Sequence, residues 1–545
     1  MQCEYGYAEL TDDAEWKSFR RELDPDGSSL IIKNLLSMLR DAGAVFAIEE
    51  TTYIDRDFSA AYASFYSTLY HMRPRYCRRI HFFASSVSDA FDDGDLTGIA
   101  HALEAAEGGY LGFIVIRPLR HAPVGSAVLA TRCAAGPGVE ISVRSTYKVH
   151  FLGVELSVEG VPVTEQDTRT GSCAQATIWT AGRHFHNQHS TPWFSVPDIT
   201  EAALKPTDSI LAKSLPAGSD YLTDDNMVRA LRAMGEHPIV YAPEVGADWE
   251  EPPARTIARY LDSGIPVIIG LRQGEGIGHA VVAVGTVIAS TRKSPDGDAH
   301  MADRITHLIV NDDQNGAYRR IAVASPKKAV RSADYTLKDA IFLLVPLPSK
   351  VYMKAEVAET IARDKVRFVA TNRSKHIKEA RADIKPADWA VDPDFYATKP
   401  EQLVARTYLT HGWKYKHRLM RNGVADDLRE ELAFVHLPRY VWVTEFSLPE
   451  DVASLDPCRR KIRAHVVLDA TGSRFEDSVL LTHLPGIIIG QSFDPANPGA
   501  EPMTSLRVLL EDAPYYPKIR GMADFTACEP ETVTPANDAG GQIAA

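Results

Sequence analysis

The segment GSCAQATIWTA (residues 171–181) decides the fold that this sequence predicts. Gly171 and Ser172 favour a turn, and the small and apolar residues after Cys173 recur at the spacing of one helical face. We therefore expect Cys173 at the first position of a helix. The positive end of the helix dipole lies there and stabilises a thiolate, so the segment predicts a nucleophilic cysteine.

A side-chain amide shortly before this helix is a candidate partner for the nucleophile. Gln166 precedes Cys173 by a short polar segment, from which its amide can reach the region beside the thiol. Attack of a thiolate on a carbonyl creates an oxyanion, and hydrogen-bond donors placed beside that oxyanion lower the barrier. We assign Gln166 to this role.

Two later segments carry the residues that such a cysteine needs as partners. The segment GIGHAVVAVGTV (residues 276–287) predicts a strand with His279 at its start, where the imidazole can take the proton of the thiol. The segment HLIVND predicts a buried strand that ends next to two carboxylates, Asp312 and Asp313. Either carboxylate can orient the imidazole, as in catalytic triads generally, and the residues alone leave that choice open.

The chain order of these segments resembles the papain-like cysteine peptidases. Within that superfamily, the sequence is most similar to the bacterial bacteriocin-leader (double-glycine) peptidases and their relatives. Gln166-Asp167 before the cysteine and the pattern H-x-V-V-x-x-G over residues 279–285 are similar to patterns of that group. In the group, the aspartate ends the strand that follows the histidine strand. That last position matches Asp312, which we therefore prefer to Asp313. The resemblance covers about residues 160–345. The spacing between the glutamine and the cysteine is one residue shorter in that group than in this chain.

The resemblance implies an α+β fold of the papain-like type and a cysteine hydrolase activity on a peptide or isopeptide bond. Cys173 would attack, His279 would transfer the proton, Asp312 would orient the imidazole and Gln166 would hold the oxyanion. The implied partner is a peptide or protein substrate, and no cofactor or metal is implied. Two alternatives stay open: an acyl or amide transferase with the same triad, and a non-catalytic binding or scaffold protein on a degenerate papain-like fold.

The rest of the chain predicts further regions around this domain. Helical spacing dominates the first hundred or so residues, and β-rich runs follow from Gly109 onwards. After Pro348 helical spacing returns, first at KAEVAETIARDKV and then at PEQLVARTYLTHGWKYKHRLM (residues 400–420), and strand-like runs come next. The predicted organisation is a mainly helical region (1–105), a small β-rich region (106–160), the papain-like domain (161–347), an α+β domain (348–528) and a disordered tail (529–545).

Composition excludes several classes of protein. A chain of 545 residues is too long for one hydrophobic core, and 45% hydrophobic with 24% charged residues is typical of globular proteins. The net charge of −13 argues against a general nucleic-acid binder. The six cysteines are scattered and form no CxxC pair, which argues against a structural zinc site or a disulfide framework and fits a reducing compartment.

The N-terminal sequence MQCEYGYAELTDDAEW is acidic and lacks the features of a signal peptide. No apolar run approaches the length of about 18 residues that a membrane span needs. We therefore expect a cytoplasmic protein with no membrane partner.

A histidine cluster and two basic clusters could indicate binding sites, but we expect them at solvent-exposed positions instead. The segment GRHFHNQH brings three histidines together, but no cysteine or carboxylate accompanies them, and we expect a solvated loop rather than a metal site. Two basic clusters are likewise expected on solvated faces, because the whole chain is acidic. The histidines are His184, His186 and His189, and the basic residues are Arg73, Arg75, Arg78, Arg79, Lys414, Lys416, Arg418 and Arg421.

Overall fold

The protein has an α+β fold with three antiparallel β-sheets and helices packed against them. One cluster of buried apolar side chains continues through all three sheets. Among the described helices, none combines the length and the apolar character that crossing a membrane requires. The computed structural model describes residues 4–93, 95–167, 172–205, 222–244, 246–273, 277–290, 297–324, 335–383, 385, 391–421, 429, 433, 435–472, 477–492 and 503–508.

The first sheet is built from the N-terminal third of the chain. Its central strands are buried along most of their length, whereas buried and exposed positions alternate in its last two strands. Helices with one apolar face cover it. The elements of this third of the chain are β1 (Tyr5–Glu9), α1 (Asp13–Leu23), α2 (Leu30–Asp41), β2 (Phe46–Tyr53), α3 (Arg56–Ser64), β3 (Cys77–Phe83), α4 (Ser88–Asp92), α5 (Leu96–Ala106), β4 (Tyr110–Ile116), β5 (Val124–Ala130), β6 (Val139–Ile141), β7 (Ser145–Phe151) and β8 (Val154–Val163). Of these strands, β6 belongs to the second sheet.

The strand order β1-β2-β3-β4-β5-β8-β7 runs across the predicted boundary between residues 105 and 106. The helical spacing that the sequence shows is present in α1 and α2, but the region also contains three strands, β1, β2 and β3. The separation into a helical region and a small β-rich region therefore does not describe the sheet. Short strands such as β3, buried along most of their length, carry too little alternation for their period to be recognised.

The second sheet has the order β13-β12-β11-β10-β14-β9, and a strand of the N-terminal third, β6, pairs with β11 beside it. The helix that begins at Cys173 and the strands predicted to carry His279 and Asp312 are present. Its elements are α6 (Cys173–His189), α7 (Val196–Leu204), α8 (Asp224–Ala233), β9 (Glu236–Tyr241), α9 (Pro253–Asp262), β10 (Val267–Gln273), β11 (Ile277–Ile288), β12 (Ile305–Asp312), β13 (Gly316–Ala322) and β14 (Ala340–Pro348).

The third sheet is an antiparallel meander in which each strand pairs with the next along the chain. Its first helix starts a few residues after Pro348, where the sequence predicts a new region. The predicted tail, residues 529–545, lies outside the described residues. The elements are α10 (Ala355–Thr371), α11 (Arg373–Ala380), α12 (Pro393–Ala397), β15 (Val404–His411), α13 (Gly412–Arg421), β16 (Tyr440–Ser447), β17 (Ala464–Asp469), β18 (Val479–Leu484), β19 (Ile487–Ser492) and β20 (Met503–Val508).

One predicted helix of this region is wrong in its first half. Pro400–Gln402 form a short 3-10 helix and residues 404–411 form the strand β15, so the α-helix begins only at Gly412. Almost every residue of β15 is buried, so its burial does not alternate and the period does not distinguish strand from helix. The β-branched and aromatic residues Thr407 and Tyr408 favour the strand.

Specific polar contacts join the N-terminal sheet to the second sheet. The Asn311 side-chain amide on β12 donates to the carbonyl oxygens of Val161 and Pro162 on β8, at 3.3 and 3.0 Å. The Tyr318 hydroxyl on β13 donates to the carbonyl of Leu129 on β5 at 2.8 Å. Helix α2 also packs against β13. The N-terminal region is therefore packed directly on the sheet that carries the candidate site.

The packing of α2 predicts a stability difference between two leucines of the same helix. Leu35 is fully buried and lies against Gly316 of β13, whereas Leu30 is 47% exposed. We expect Leu35→Ala to lower stability by about 2–5 kcal/mol, because a buried leucine leaves a cavity, and Leu30→Ala by less than about 1 kcal/mol. Urea unfolding followed by circular dichroism measures both. Equal losses would contradict the packing of α2.

Candidate active site

Cys173 is the first residue of α6, as the sequence predicts. The preceding residue, Ser172, is buried, and its backbone N–H and its hydroxyl both donate to Oε1 of Gln175, at 3.0 and 2.6 Å. The bond from the backbone N–H satisfies a group that would otherwise be unpaired at the start of the helix. The Cys173 side chain is half-buried at this capped end, where the helix dipole favours a negative charge.

His279 lies on β11, whose neighbours β10 and β12 are both antiparallel to it. Helix α6 packs across β11 from one face of the sheet, which brings Cys173 to the imidazole. Only 3% of His279 is exposed. Its Nε2 forms a 3.2 Å hydrogen bond with Oδ1 of Asp312, the last residue of β12. The structure therefore brings together the three residues that the sequence singles out.

The pKa of His279 is set by opposing effects. Burial lowers it, but the hydrogen bond with Asp312, the neighbouring Cys173 side chain and the charges of Asp312 and Asp313 raise it. Among the described residues, Nδ1 of the ring has no hydrogen-bond partner. The net effect raises the pKa of His279 to about 10. The imidazole is thus held as a cation at neutral pH, which is the form that stabilises a neighbouring thiolate.

Asp312 is a fully hydrogen-bonded carboxylate. Its Oδ1 also accepts from the backbone N–H groups of Gln314 and Asn315, at 2.8 and 3.3 Å. Its Oδ2 accepts from the Asn315 side-chain amide at 2.8 Å and from the Tyr335 hydroxyl. Burial alone would raise its pKa, but the hydrogen bonds, the one with His279 foremost, outweigh burial and lower the pKa of Asp312 to about 2.

Tyr335 and Asn315 are not among the residues that the sequence predicts for the site. Asn315 lies in the turn after β12, and turn-forming residues in the sequence indicate that turn. They do not indicate that the Asn315 amide binds Asp312. Tyr335 is 23 positions from Asp312 in the chain, so no local spacing relates the two. Its ring also contacts the imidazole, with centroids 5.6 Å apart.

Asp313 is close to the same imidazole but is bound differently. Its Oδ1 lies 4.0 Å from Nε2 of His279, beyond hydrogen-bonding distance, so Asp312 is the neighbour that bonds the ring. Together with His279 and Asp312 it forms a group of three potential metal ligands, the one such group among the described residues. Because the oxygens of Asp312 already accept four other hydrogen bonds, this group is better suited to holding a proton than a metal ion.

Gln166 lines a cavity beside the first turn of α6 together with Ser172 and Gln175. The opposite wall comes from the N-terminal region, including Asp55 and Arg117. The Gln166 side chain is half-buried and thus reachable from this cavity.

Contacts from α3 and the residues after it hold this wall in place. The Tyr66 hydroxyl donates to the carboxylate of Asp167, which follows Gln166, and Asp57 on α3 pairs with the buried Arg183 of α6. The backbone on both sides of the cavity is therefore tied to the N-terminal region.

The histidines of GRHFHNQH are not in a solvated loop, because α6 continues through His189. His184 is buried, with Nδ1 at 2.8 Å from the Ser145 hydroxyl and Nε2 at 3.0 Å from the carbonyl of Gly264. Burial lowers the pKa of His184 to about 3, so the ring is neutral. His186 Nδ1 lies 2.6 Å from the carbonyl of Thr191, which accounts for this ring as a structural contact as well.

The expectation of solvated basic faces is also wrong in part. Arg79 is 8% exposed and pairs with Glu50, and Arg78 on the same strand pairs with Glu49. Arg418 on α13 is 5% exposed and donates to the Tyr408 hydroxyl at 3.0 Å. These guanidinium groups are engaged in structural contacts, which a count of charges in the sequence does not show.

No protein-family model matches this sequence, and no curated protein matches it either. Among solved structures, the chain is similar to the peptidase domain of Streptococcus ComA, a bi-functional ABC transporter involved in a quorum sensing pathway. The two share 15% sequence identity at a TM-score of 0.21. The match covers 34% of this chain and 97% of that domain.

The pairing of His279 with Asp312 predicts how stability depends on pH. The lowered pKa of Asp312 stabilises the fold above 3.8, and this stabilisation is lost as the pH falls through about 2. The raised pKa of His279 stabilises the fold below 6.5, and this stabilisation is lost as the pH rises through about 10. We therefore expect Asp312→Asn to lower the urea midpoint most between pH 3.8 and 6.5.

The control for this measurement is Asp225→Asn, which changes an exposed carboxylate on α8. Its effect on the urea midpoint should be small at every pH. A loss in Asp312→Asn that is the same at pH 2, 5 and 10 would contradict the coupling of the two groups.

Proposed function

We propose that the chain is a cysteine hydrolase of the papain-like type that cleaves a peptide or isopeptide bond. One observation carries the proposal: a single buried imidazole, His279, interacts with the Cys173 thiol and forms a 3.2 Å hydrogen bond with Asp312. A thiol, an imidazole and an orienting carboxylate in this order form an activated nucleophile.

The arrangement of elements supports the same proposal. The cysteine begins a helix that packs on an antiparallel sheet, and the histidine and aspartate lie on adjacent strands of that sheet. This is the arrangement that the resemblance to the bacteriocin-leader peptidase group implies. We propose residues 161–347 as the papain-like domain and residues 348–528 as a separate α+β domain. The N-terminal region forms one wall of the cavity that Gln166 lines, which Cys173, His279 and Asp312 do not line.

In the proposed reaction, the Cys173 thiolate attacks the carbonyl carbon of the scissile amide. The side-chain amide of Gln166 and the backbone N–H of Cys173 donate to the oxyanion. The intermediate collapses, the C–N bond breaks, and the His279 imidazolium gives its proton to the leaving amine. Water then attacks the thioester, His279 takes a proton from it, and the acid product leaves as the thiol is restored.

The two alternatives differ from this proposal in the fate of the acyl group or in whether Cys173 attacks at all. A transferase would pass the acyl group from Cys173 to an amine instead of water, with the same three residues. A binding or scaffold protein would not need a cationic imidazole beside a half-buried thiol, so the raised pKa of His279 favours catalysis.

We also propose a cytoplasmic location. Among the described residues Cys77, Cys133 and Cys173 are free thiols, which is compatible with a reducing compartment.

The proposal predicts selective alkylation of Cys173 by iodoacetamide at pH 6. Cys173 should react because His279 stabilises its thiolate. Cys133 is an internal control of similar exposure, since burial raises its pKa to about 11 and keeps it as a thiol. Mass spectrometry of the digested protein measures both sites. Equal or slower labelling of Cys173, in protein with an intact circular dichroism spectrum, would overturn the catalytic assignment.

Once a substrate peptide is known, the oxyanion assignment makes a second prediction. Gln166→Ala should lower kcat by roughly 10²–10³-fold with little change in KM, because the lost donor acts on the oxyanion of the transition state. Gln188→Ala, at the exposed end of α6, is the matched control and should leave kcat unchanged. A change in KM alone would assign Gln166 to substrate binding.

A further inference from the structure

Asp313 is a buried carboxylate that the proposed reaction does not use. It is 3% exposed, and neither of its carboxylate oxygens accepts a hydrogen bond from another residue that the structure describes. Buried carboxylates are ordinarily paired or hydrogen-bonded, since burial of an unpaired charge is costly. Its neighbour Asp312 shows the ordinary case, with donors on both oxygens. Asp313 is therefore an exception that calls for a role.

The position of Asp313 relates it to one cation. Successive residues of a strand point to opposite faces of a sheet, but β12 ends at Asp312, and its pairing with β13 shifts register between Val310 and Asp312. Asp313 begins the turn, and its Oδ1 comes within 4.0 Å of Nε2 of His279. Both carboxylates thus approach the same ring nitrogen, Nε2, of the imidazole.

The two carboxylates meet the imidazole in different ways. Asp312 is fixed by four donors besides His279, so its position does not depend on the charge of the ring. Asp313 has no such donors among the described residues, so the positive charge of His279 is the interaction that favours its ionised form. Asp312 is suited to orienting the ring, and Asp313 to responding to its charge.

We propose that Asp313 is a positioning residue that acts through His279: its carboxylate holds the imidazolium by charge, while Asp312 fixes the ring by a hydrogen bond. The inference rests on the proposed function, because the imidazolium matters only if Cys173 reacts as a thiolate. The two neighbouring carboxylates thus have separate roles: Asp312 acts on His279 through a hydrogen bond, and Asp313 acts on it through charge.

The titratable and charged groups around Asp313 decide the direction of its effect. Burial raises the pKa of Asp313 to about 7, the charge of His279 opposes this, and the charges of Asp312 and Glu165 add to it. Asp313 is then neutral in acid and ionised above neutral pH, where its charge supports the imidazolium. The groups that face this cluster are His279 on β11, Cys173 on α6, Asp312 on β12, Glu165 after β8, Tyr335 before β14 and Arg319 on β13.

The test is the pH dependence of carboxymethylation of Cys173 by iodoacetate. This anionic reagent reacts fastest when a thiolate stands beside an imidazolium, so the rate falls on the alkaline side as His279 loses its proton. In Asp313→Asn the midpoint of that alkaline fall should move to lower pH by about one unit or more, since a charge about 4 Å away is lost. The acid limb should stay in place, because Asp313 is already neutral there.

Two variants serve as references. Asp225→Asn, which removes an exposed carboxylate on α8, should reproduce the wild-type profile. Asp312→Asn should lower the rate across the whole range, because it removes the hydrogen bond that orients the ring. If Asp313→Asn fails to fold, as judged by circular dichroism, Asp313→Ala removes the same charge without introducing an amide and takes its place.

The outcomes separate this inference from the proposed function. An alkaline limb of Asp313→Asn that coincides with that of Asp225→Asn would overturn the role of Asp313, while rapid labelling of wild-type Cys173 would leave the proposed function standing. Wild-type protein in which Cys173 reacts no faster than Cys133 would overturn both. A shift that disappears when EDTA is added would assign Asp313 to a bound cation and overturn the role proposed here.

Discussion

The hydrogen bond between His279 and Asp312 is the interaction on which the candidate site depends. It joins the start of β11 to the end of β12, and it is excluded from water because both residues are buried. Two antiparallel strands in this register bring a residue near the start of one beside the end of the other. A polar pair in such a place is costly unless each partner is satisfied, and the donors from the turn after β12 and from Tyr335 meet that requirement. The sheet thus positions the two residues, and the turn after β12 and Tyr335 fix the carboxylate.

The thiol side of the site depends on a different element. Helix α6 is buried over most of its length, and its position relative to β11 sets the approach of Cys173 to the imidazole. The ion pair between Arg183 and Asp57 ties this helix to α3, and Arg183 also stacks on the Trp193 ring at 3.2 Å from its centroid. The position of the nucleophile therefore depends on packing from both the second sheet and the N-terminal region.

Much of this arrangement is predictable from the sequence, and the exceptions have physical reasons. The helix after Cys173 is predictable because its small and apolar residues recur at helical spacing. The strands that carry His279 and Asp312 are predictable because each is an apolar run with a polar residue at a defined end. The strand β15 has the pattern of a helix because burial of nearly all its residues removes the alternation. The sheet that joins the first two predicted regions depends on pairing between distant strands, which no local pattern records. The choice between Asp312 and Asp313 depends on which carboxylate comes within hydrogen-bonding distance of His279, which two neighbouring positions in the sequence do not reveal.

The strand β6 gives the molecule a property that its order of elements along the chain conceals. It belongs to the N-terminal third, yet it pairs with Gly285–Val287 of β11, the strand that carries His279. The N-terminal third and the second sheet are therefore interlaced and not arranged as successive modules. A gene rearrangement that transferred only residues 161–347 would remove β6. The backbone N–H and C=O groups of this part of β11 would then lack that partner strand. Such an open edge is a template for pairing between chains. The structure thus favours inheritance of both parts together, and the unit that recombination can transfer is larger than the unit that carries the three site residues.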